Sequence, residues 1–472
     1  MNHSNNTDLN RHYHFIGIGG IGMSALAIFY LQQGFKVSGS DIVCSEITDQ
    51  LAQLGAKIFI GHNQGNIVGA DYIIYSSAVP KTNPEYIAAQ ANRKTLLKRG
   101  MLLSKIASDY AKTIAVTGTH GKTTVAALLT HVLTVAKRKP NYIIGGISHS
   151  LNLHAHRDHS EYMVIEADES DASFLYTKPQ HIIITNVNQD HMQTYDHSQQ
   201  RLLNSFYEFA RQSHQGELCI GVDYPGGLML TKMLPQGFLS YGFSDNATVK
   251  ICNYIQNGKV AYFDLKLTDR MLNGFQFNLP GKHNIENAAA VIALALKLGI
   301  DEHTIKQALA SFKGVKRRFD CYQSYFQDKK ITVVDDYGHH PIEIQRTLEA
   351  IAKRFPNRRL IHLFQPHRYT RTRDLFNELL QALLGADLLI LADVYSAGEP
   401  TIKGATSYAL HHQLQSMRSH CYYVKNFDNA EAILKEFVKD NDVILIQGAG
   451  NIAELSDKFR TECAKANTLK NW

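Results

Sequence analysis

The sequence predicts an α/β chain of three domains, and three observations carry that prediction. Apolar runs such as "HYHFIGIGG", "KTIAVTG", "YMVIEAD", "HIIITNV", "DLLILAD" and "DVILIQG" are continuous rather than alternating, as parallel strands covered on both faces require. Helical patterns separate them, the order expected of βαβ units. The strand-loop-helix series then restarts near residue 110 and again near residue 320. The predicted domains are 1–110, Rossmann-like; 111–316, a central parallel-sheet domain of the P-loop ATPase type; and 317–472, a second Rossmann-like α/β domain. From about 216 to 280 the pattern alternates more and is less helical, predicting a small β appendage of the middle domain.

Bulk composition narrows the classes. At 472 residues and 44% hydrophobic content the chain is long enough for several cored domains. No apolar run reaches the roughly eighteen residues of a membrane span, and "MNHSNNTDLN" has neither a basic start nor an apolar signal region. The expectation is a cytoplasmic protein without a membrane partner. Cys44, Cys219, Cys252, Cys321, Cys421 and Cys463 lie far apart with no CxxC pair, so plain thiols are expected rather than a zinc cluster or disulfide scaffold. A net charge of +6 is mild over this length, and no block of consecutive Lys or Arg suggests a nucleic-acid groove, which leaves local basic sites for small anions.

The first glycine loop, "FIGIGGIGMSALA", places Gly17, Gly19 and Gly22 after a strand and before a helix. Bare backbone there lets a diphosphate approach the helix amino terminus. Asp41 ends the second strand, about where a ribose-binding acid sits. Alone, this loop suggests a nicotinamide or flavin cofactor, but it requires only a diphosphate.

The second loop, "VTGTHGKTTV", has Val116 where a full Walker A loop has its first glycine, leaving Gly118, Thr119, His120, Gly121, Lys122 and Thr123. The logic of a phosphate cradle survives: backbone N–H groups hold phosphate oxygens, Lys122 neutralises the terminal ones, and Thr123 can ligate magnesium. The next strand ends "YMVIEADESDASF", setting Glu166, Asp168, Glu169 and Asp171 at one edge. Crowded carboxylates repel unless solvated or neutralised by a cation. The strand after it delivers Asp190 and His191. Further on, "KHNIENAAA" opens an apolar helix with His283, Asn284 and Asn287. "GVKRRFD" carries Arg317 and Arg318, and "DDYGHHPIEI" and "FQPHRYTRTRD" follow strands with Asp335, Asp336, Tyr337, His339, His340, His367, Arg368, Arg371 and Arg373.

These blocks, with "VYSAGE" and "GAGNI", run in the order found in the Mur ligases, and over residues 12 to 452 the chain resembles that family. The resemblance implies ATP-dependent ligation of L-alanine to the lactyl carboxylate of UDP-N-acetylmuramic acid. The route runs through an acyl phosphate and a tetrahedral intermediate and yields ADP and phosphate. It implies ATP contacts from Gly118, Thr119, His120, Gly121, Lys122, Thr123, Thr124, Asn284, Asn287, Arg318 and Asp336. UDP-sugar contacts would come from Gly17, Gly19, Gly20, Ile21, Gly22, Asp41, His62, Ser76, Ser77 and Arg99, and amino-acid contacts from Tyr337, His367, Arg368 and Arg371. Thr123 and Glu166 would hold one magnesium ion and His191 a second. Catalytic roles fall to Lys122, Glu166, His191, Arg318 and His340, while His120, His340 and His367 all stand as candidates for deprotonating the amine. Asn188 and Gln189 depart from the family, whose members usually carry an acid there. Three alternatives stand beside this reading: a relative that joins a recycled tripeptide to the same sugar, a nicotinamide-dependent oxidoreductase built on the first loop, and a nonenzymatic nucleotide-gated binding protein, against which intact Lys122, Glu166 and His191 argue.

Overall fold

A computed structural model describes residues 10–213 and 216–469, with side chains to Thr461. Among the described residues the strands form three sheets, and the chain divides into two compact units. Of the described residues, the first unit takes those up to Asn253, Phe263–Gln276 and Glu286–Lys313; the second takes Tyr254–Tyr262, Phe277–Ile285 and those from Gly314 onward.

In the first unit, five parallel strands lie in the order Lys57–Ile60, Lys36–Asp41, His12–Ile16, Tyr72–Tyr75, Thr95–Lys98. The glycine loop leaves the central strand, so it opens at the carboxyl edge where strand order reverses. The helix after it, Ile21–Gln32, buries every residue from Met23 to Tyr30, which is why "GMSALAIFY" shows no amphipathic period.

The second sheet sets Lys112–Thr117 between His181–Ile184 and Tyr162–Glu166, in parallel with both. This register brings the lysine loop between an acid-bearing and a polar strand end. All three strands are buried through their middles, and each fully buried Ile or Val stabilises the sheet by about 1.5–3 kcal/mol. Outward from His181–Ile184 the sheet adds Leu218–Gly221 and Leu239–Gly242, then Val249–Asn257, Val260–Lys266 and Met271–Phe277. The expected β appendage is thus a continuation of the middle sheet.

The second unit holds a sheet ordered Asp320–Phe326, Lys329–Asp336, Val443–Gln447, Leu360–Phe364, Leu388–Ala392, Cys421–Val424. Only the first pair is antiparallel. Parallel register gathers the loops after Asp336, Phe364, Ala392 and Gln447 at one edge. Cys44, Cys219, Cys252, Cys321 and Cys421 are free thiols; the Cys463 side chain lies outside the described residues.

Candidate active site

The lysine loop needs its two glycines on two counts each. Gly118 has φ +126°, and a methyl there would stand 2.2 Å from Thr185 Oγ1. Gly121, which caps the helix Lys122–Val135, has φ +85°, and its methyl would stand 2.6 Å from the Asn287 side-chain oxygen. Glycine alone adopts such backbone without strain and leaves room for the neighbours.

The loop's peptides are pinned from the adjacent strand end. Asn186 Oδ1 accepts from the His120 N–H at 3.0 Å, and Asn186 Nδ2 and Thr185 Oγ1 donate to the His120 carbonyl at 3.0 and 2.6 Å. The Thr119 N–H donates to the Asn186 carbonyl, and the Asn188 N–H to Thr119 Oγ1. Thr185 and Asn186 were not among the residues singled out in the sequence. Their signal was two polar side chains directly after the buried run "HIII". Asn188 enters through its backbone, so the departure from an acid there leaves this pin intact.

Lys122 Nζ donates to the Gly118 and Thr119 carbonyls at 2.7 and 3.2 Å and pairs with Glu169 at 2.7 Å. Burial works against its charge, but attraction to Glu169, Asp168 and Glu166 outweighs it and raises the ammonium's pKa. Burial acts to raise the Glu169 carboxyl's pKa, with Lys122 pulling the other way. Burial acts upward on Asp168 too, yet Arg99 and Lys122 hold it down at about 2. Thr123 Oγ1 donates to Glu166 Oε1 at 3.1 Å, and Glu166 Oε2 accepts from the Gly145 N–H at 2.7 Å.

Magnesium prefers hard oxygen ligands and usually takes one or two from protein, the rest from phosphates and water. The Thr123 hydroxyl and Glu166 carboxylate fit that donor set. No group of three or more His, Cys, Asp and Glu side chains suited to a metal occurs among the described residues. His191 sits at φ +54° with Nε2 3.6 Å from Asp190 Oδ2.

In the first glycine loop, the Gly17 and Ile18 N–H groups donate to the Ser40 carbonyl. Asp41 turns onto the loop itself: Oδ2 accepts from the Gly19 N–H at 2.8 Å and Oδ1 from Ile42 at 2.7 Å. The residue expected as a ribose acid therefore shapes the loop. Arg99 lies along Gly22, whose methyl would meet its Cδ at 3.3 Å, and donates to Asp168 Oδ2 at 3.0 Å. One guanidinium thus touches the first glycine loop and the acid segment beside the second. Ile21 and Ser77 are exposed and Ser76 half-buried at the same edge.

Beneath this edge lies a buried carboxylate that sequence reasoning missed. Glu85 accepts from Ser40 Oγ at 2.6 Å, Asn66 Nδ2 at 2.6 Å and the Asn63 N–H at 3.2 Å, with His14 Nε2 at 3.3 Å and His62 Nδ1 at 3.6 Å. Burial acts to raise its pKa, but these hydrogen bonds overcome it and hold the carboxyl at about 2.

In the second unit, Asp336 is committed to its own neighbourhood. It accepts from the Phe319 and Gly338 N–H groups, Thr347 Oγ1 and Gln447 Nε2 at 2.8–3.2 Å. Arg317 and Arg318 lie over the Tyr337 ring, 5.2 and 4.7 Å from its centre. His340 caps the helix Pro341–Arg354, Nδ1 accepting from the Ile342 N–H. The His367 ring stacks on Tyr395, and Arg371 Nη1 lies 3.3 Å from His367 Nδ1. Arg368 Nη1 is 3.7 Å from Glu399. Tyr337 thus lies with Arg317 and Arg318, and His367 with Arg371 and Tyr395, and the His339 ring joins the two groups, 5.7 Å from Tyr337 and 5.5 Å from His367. Asn284 donates to the Pro280 carbonyl. Burial pushes the Asp335 carboxyl up to about 6 against the pull of Arg317, Ser456 and Arg460.

Three family models match the chain. They are the Mur ligase family catalytic domain over residues 12–111, the Mur ligase middle domain over 116–295 and the Mur ligase glutamate ligase domain over 317–450. Among solved structures, the chain is similar to UDP-N-acetylmuramate-alanine ligase MurC of Thermotoga maritima. The two share 30% identity and a TM-score of 0.84 over 96% of this chain and 99% of that one. A murein peptide ligase of Psychrobacter arcticus shares the fold at 21% identity and TM-score 0.71, over 96% of this chain and 99% of that one. The UDP-N-acetylmuramate:L-alanyl-gamma-D-glutamyl-meso-diaminopimelate ligase of Neisseria meningitides is 26% identical with TM-score 0.60, over 65% of this chain and all of that one. No helix among the described residues is long and apolar enough to cross a membrane. Matched in sequence order by three domain models and along nearly its whole length by a relative 30% identical, this chain belongs to the Mur ligase family of ATP-dependent, amide-forming ligases of peptidoglycan synthesis.

Proposed function

We propose that this chain joins L-alanine to the lactyl carboxylate of UDP-N-acetylmuramic acid at the expense of ATP, in the cytoplasm. One observation carries the choice of substrate: the likeness to the Thermotoga maritima alanine ligase at 30% identity and TM-score 0.84, against 21% and 0.71 for the murein peptide ligase of Psychrobacter arcticus and 26% and 0.60, over 65% of this chain, for the tripeptide ligase of Neisseria meningitides. Membership of the family disposes of the oxidoreductase alternative.

In this reading the loop Gly118–Thr124, with Asn287 against Gly121, binds the triphosphate. A lactyl carboxylate oxygen attacks the γ-phosphorus and ADP leaves, forming an acyl phosphate. Two anions must meet in that step, so neutralisation and alignment supply most of the rate. Lys122 is placed for this, its ammonium kept charged by the surrounding acids. Thr123 and Glu166 would hold a magnesium ion, which supplies further neutralisation of phosphate charge when bound. The alanine amine, after losing a proton, then attacks the acyl carbon; phosphate leaves as the amide forms. Gly17, Gly19, Gly20, Ile21 and Gly22, with Ser76, Ser77 and Arg99, receive the sugar nucleotide. Within the second unit, Tyr337, His367, Arg368 and Arg371 receive the amino acid, arginine pairing with its carboxylate.

The test is phosphate release with ATP, magnesium and UDP-N-acetylmuramic acid, adding L-alanine, L-serine, glycine or the L-alanyl-γ-D-glutamyl-diaminopimelate tripeptide in turn. The proposal expects L-alanine to give the highest kcat/KM. Turnover with the tripeptide and none with L-alanine would replace it by the tripeptide-ligase reading.

A further inference from the structure

Two stretches that stand out in the sequence, "VYSAGE" and "GAGNI", have no part in the reaction described above. In the structure they meet the arginine-bearing loop. The Tyr395 N–H donates to the Pro366 carbonyl at 2.9 Å and the Arg368 N–H to the Tyr395 carbonyl at 2.8 Å, zipping the segment after Leu388–Ala392 onto the segment after Leu360–Phe364. The rings of His367 and Tyr395 lie 5.6 Å apart and 12° from parallel. Gly450 makes room for this: a methyl there would stand 2.6 Å from Tyr395 Cβ and 2.4 Å from Gln365 Oε1.

Glu399 closes the same loop from the other side. Its Oε2 accepts from the Thr370 N–H at 3.0 Å, its Oε1 from Thr370 Oγ1 at 2.8 Å, and Arg368 Nη1 lies 3.7 Å from Oε1. Arg368 holds φ +71°, backbone that a residue with a side chain keeps only where its surroundings over-determine it. Those surroundings are Tyr395 at its N–H and Glu399 at its guanidinium.

We infer that Glu399, working with Tyr395, is a positioning residue for the amine substrate: it fixes Arg368 and the start of the helix Tyr369–Asp374 so that the arginines there meet the substrate carboxylate. The inference rests on the reading of Tyr337, His367, Arg368 and Arg371 as the amino-acid site. A carboxylate serves here because it can accept two hydrogen bonds from Thr370 and still balance one guanidinium.

The test is steady-state phosphate release by the full chain carrying Glu399→Gln, Glu399→Asp or Thr370→Val, beside thermal unfolding. Glu399→Gln is expected to raise the KM for L-alanine about tenfold, leaving the KM for ATP and UDP-N-acetylmuramic acid, kcat and the melting temperature near wild type. Glu399→Asp should restore part of the loss, and Thr370→Val should raise the same constant by a smaller factor. An unchanged KM for the amine in Glu399→Gln would overturn the inference, as would equal rises for all three substrates. If Glu399→Gln fails to fold, Thr370→Val decides alone by the same criterion. A wild-type chain that ignores L-alanine and uses another amine overturns the substrate reading instead, and the comparison is then made with that amine.

Discussion

Lys122 and Glu169 form an ion pair of 2.7 Å that joins the lysine loop to the segment after Tyr162–Glu166, with the glutamate 2% exposed. The ammonium is drawn to the acid beside it while also donating to the Gly118 and Thr119 carbonyls. The ammonium proposed to bind phosphate is thereby held in its loop by groups of this chain.

Removing one partner of a buried pair strands the other. Here the stranded group has an escape, because burial pushes the Glu169 carboxyl's pKa upward against the pull of Lys122, so without the lysine it takes up a proton and the loss is limited. Lys122→Met should therefore abolish ADP formation while lowering stability by only about 1–2 kcal/mol at neutral pH. Adding Glu169→Gln should recover the stability and none of the activity. Urea unfolding and ADP release on the same preparations check both halves.

Gly118→Ala should be severe. Alanine would sit at φ +126° with its methyl 2.2 Å from Thr185 Oγ1, so strain and displacement of the loop's pin add. A loss of about 2–3 kcal/mol in stability is expected, together with loss of ATP-dependent turnover. Denaturant melts and phosphate release would show it; a variant with wild-type values on both would contradict the loop geometry.

Asn186 holds the His120 peptide by both its N–H and its carbonyl. Asn186→Ala should raise the KM for ATP about tenfold with little effect on the affinity for the sugar nucleotide, which calorimetry with UDP-N-acetylmuramic acid measures separately.

Glu85 sets a pH dependence. Its carboxyl is held at about 2 against an ordinary 4.5, so the folded state binds fewer protons than the unfolded chain in that interval. Its contribution to stability is fully present above pH 4.5 and is lost as pH falls toward 2. Glu85→Gln should flatten the acid limb of the stability curve between those values. Equal acid limbs in wild type and variant would contradict the buried network around Glu85.

The fold was legible because burial on both faces writes itself as unbroken apolar runs, and both glycine loops announced strand-to-helix turns at the carboxyl edges where the structure places them. What stayed illegible depends on contacts between residues distant in sequence. Thr185 and Asn186 matter only because His181–Ile184 lies beside Lys112–Thr117, some seventy positions earlier. Asp41 reads as a ligand acid, yet its oxygens accept from Gly19 and Ile42, a geometry that spacing cannot reveal. Glu85 follows an Asn-Pro helix start that resembles a surface turn, and only packing against Ser40 and His14 buries it. Asp336 likewise looks like an open edge acid until Phe319, Gly338, Thr347 and Gln447 close around it.

The most direct measurement is ADP release by the wild type and by Lys122→Ala, with and without UDP-N-acetylmuramic acid and L-alanine, beside calorimetric binding of the sugar nucleotide to both proteins. The account predicts ADP release in wild type that requires the sugar nucleotide, its loss in the variant, and sugar-nucleotide binding near wild type in both. ATP consumption indifferent to the sugar nucleotide, or undiminished turnover without Lys122, would contradict it.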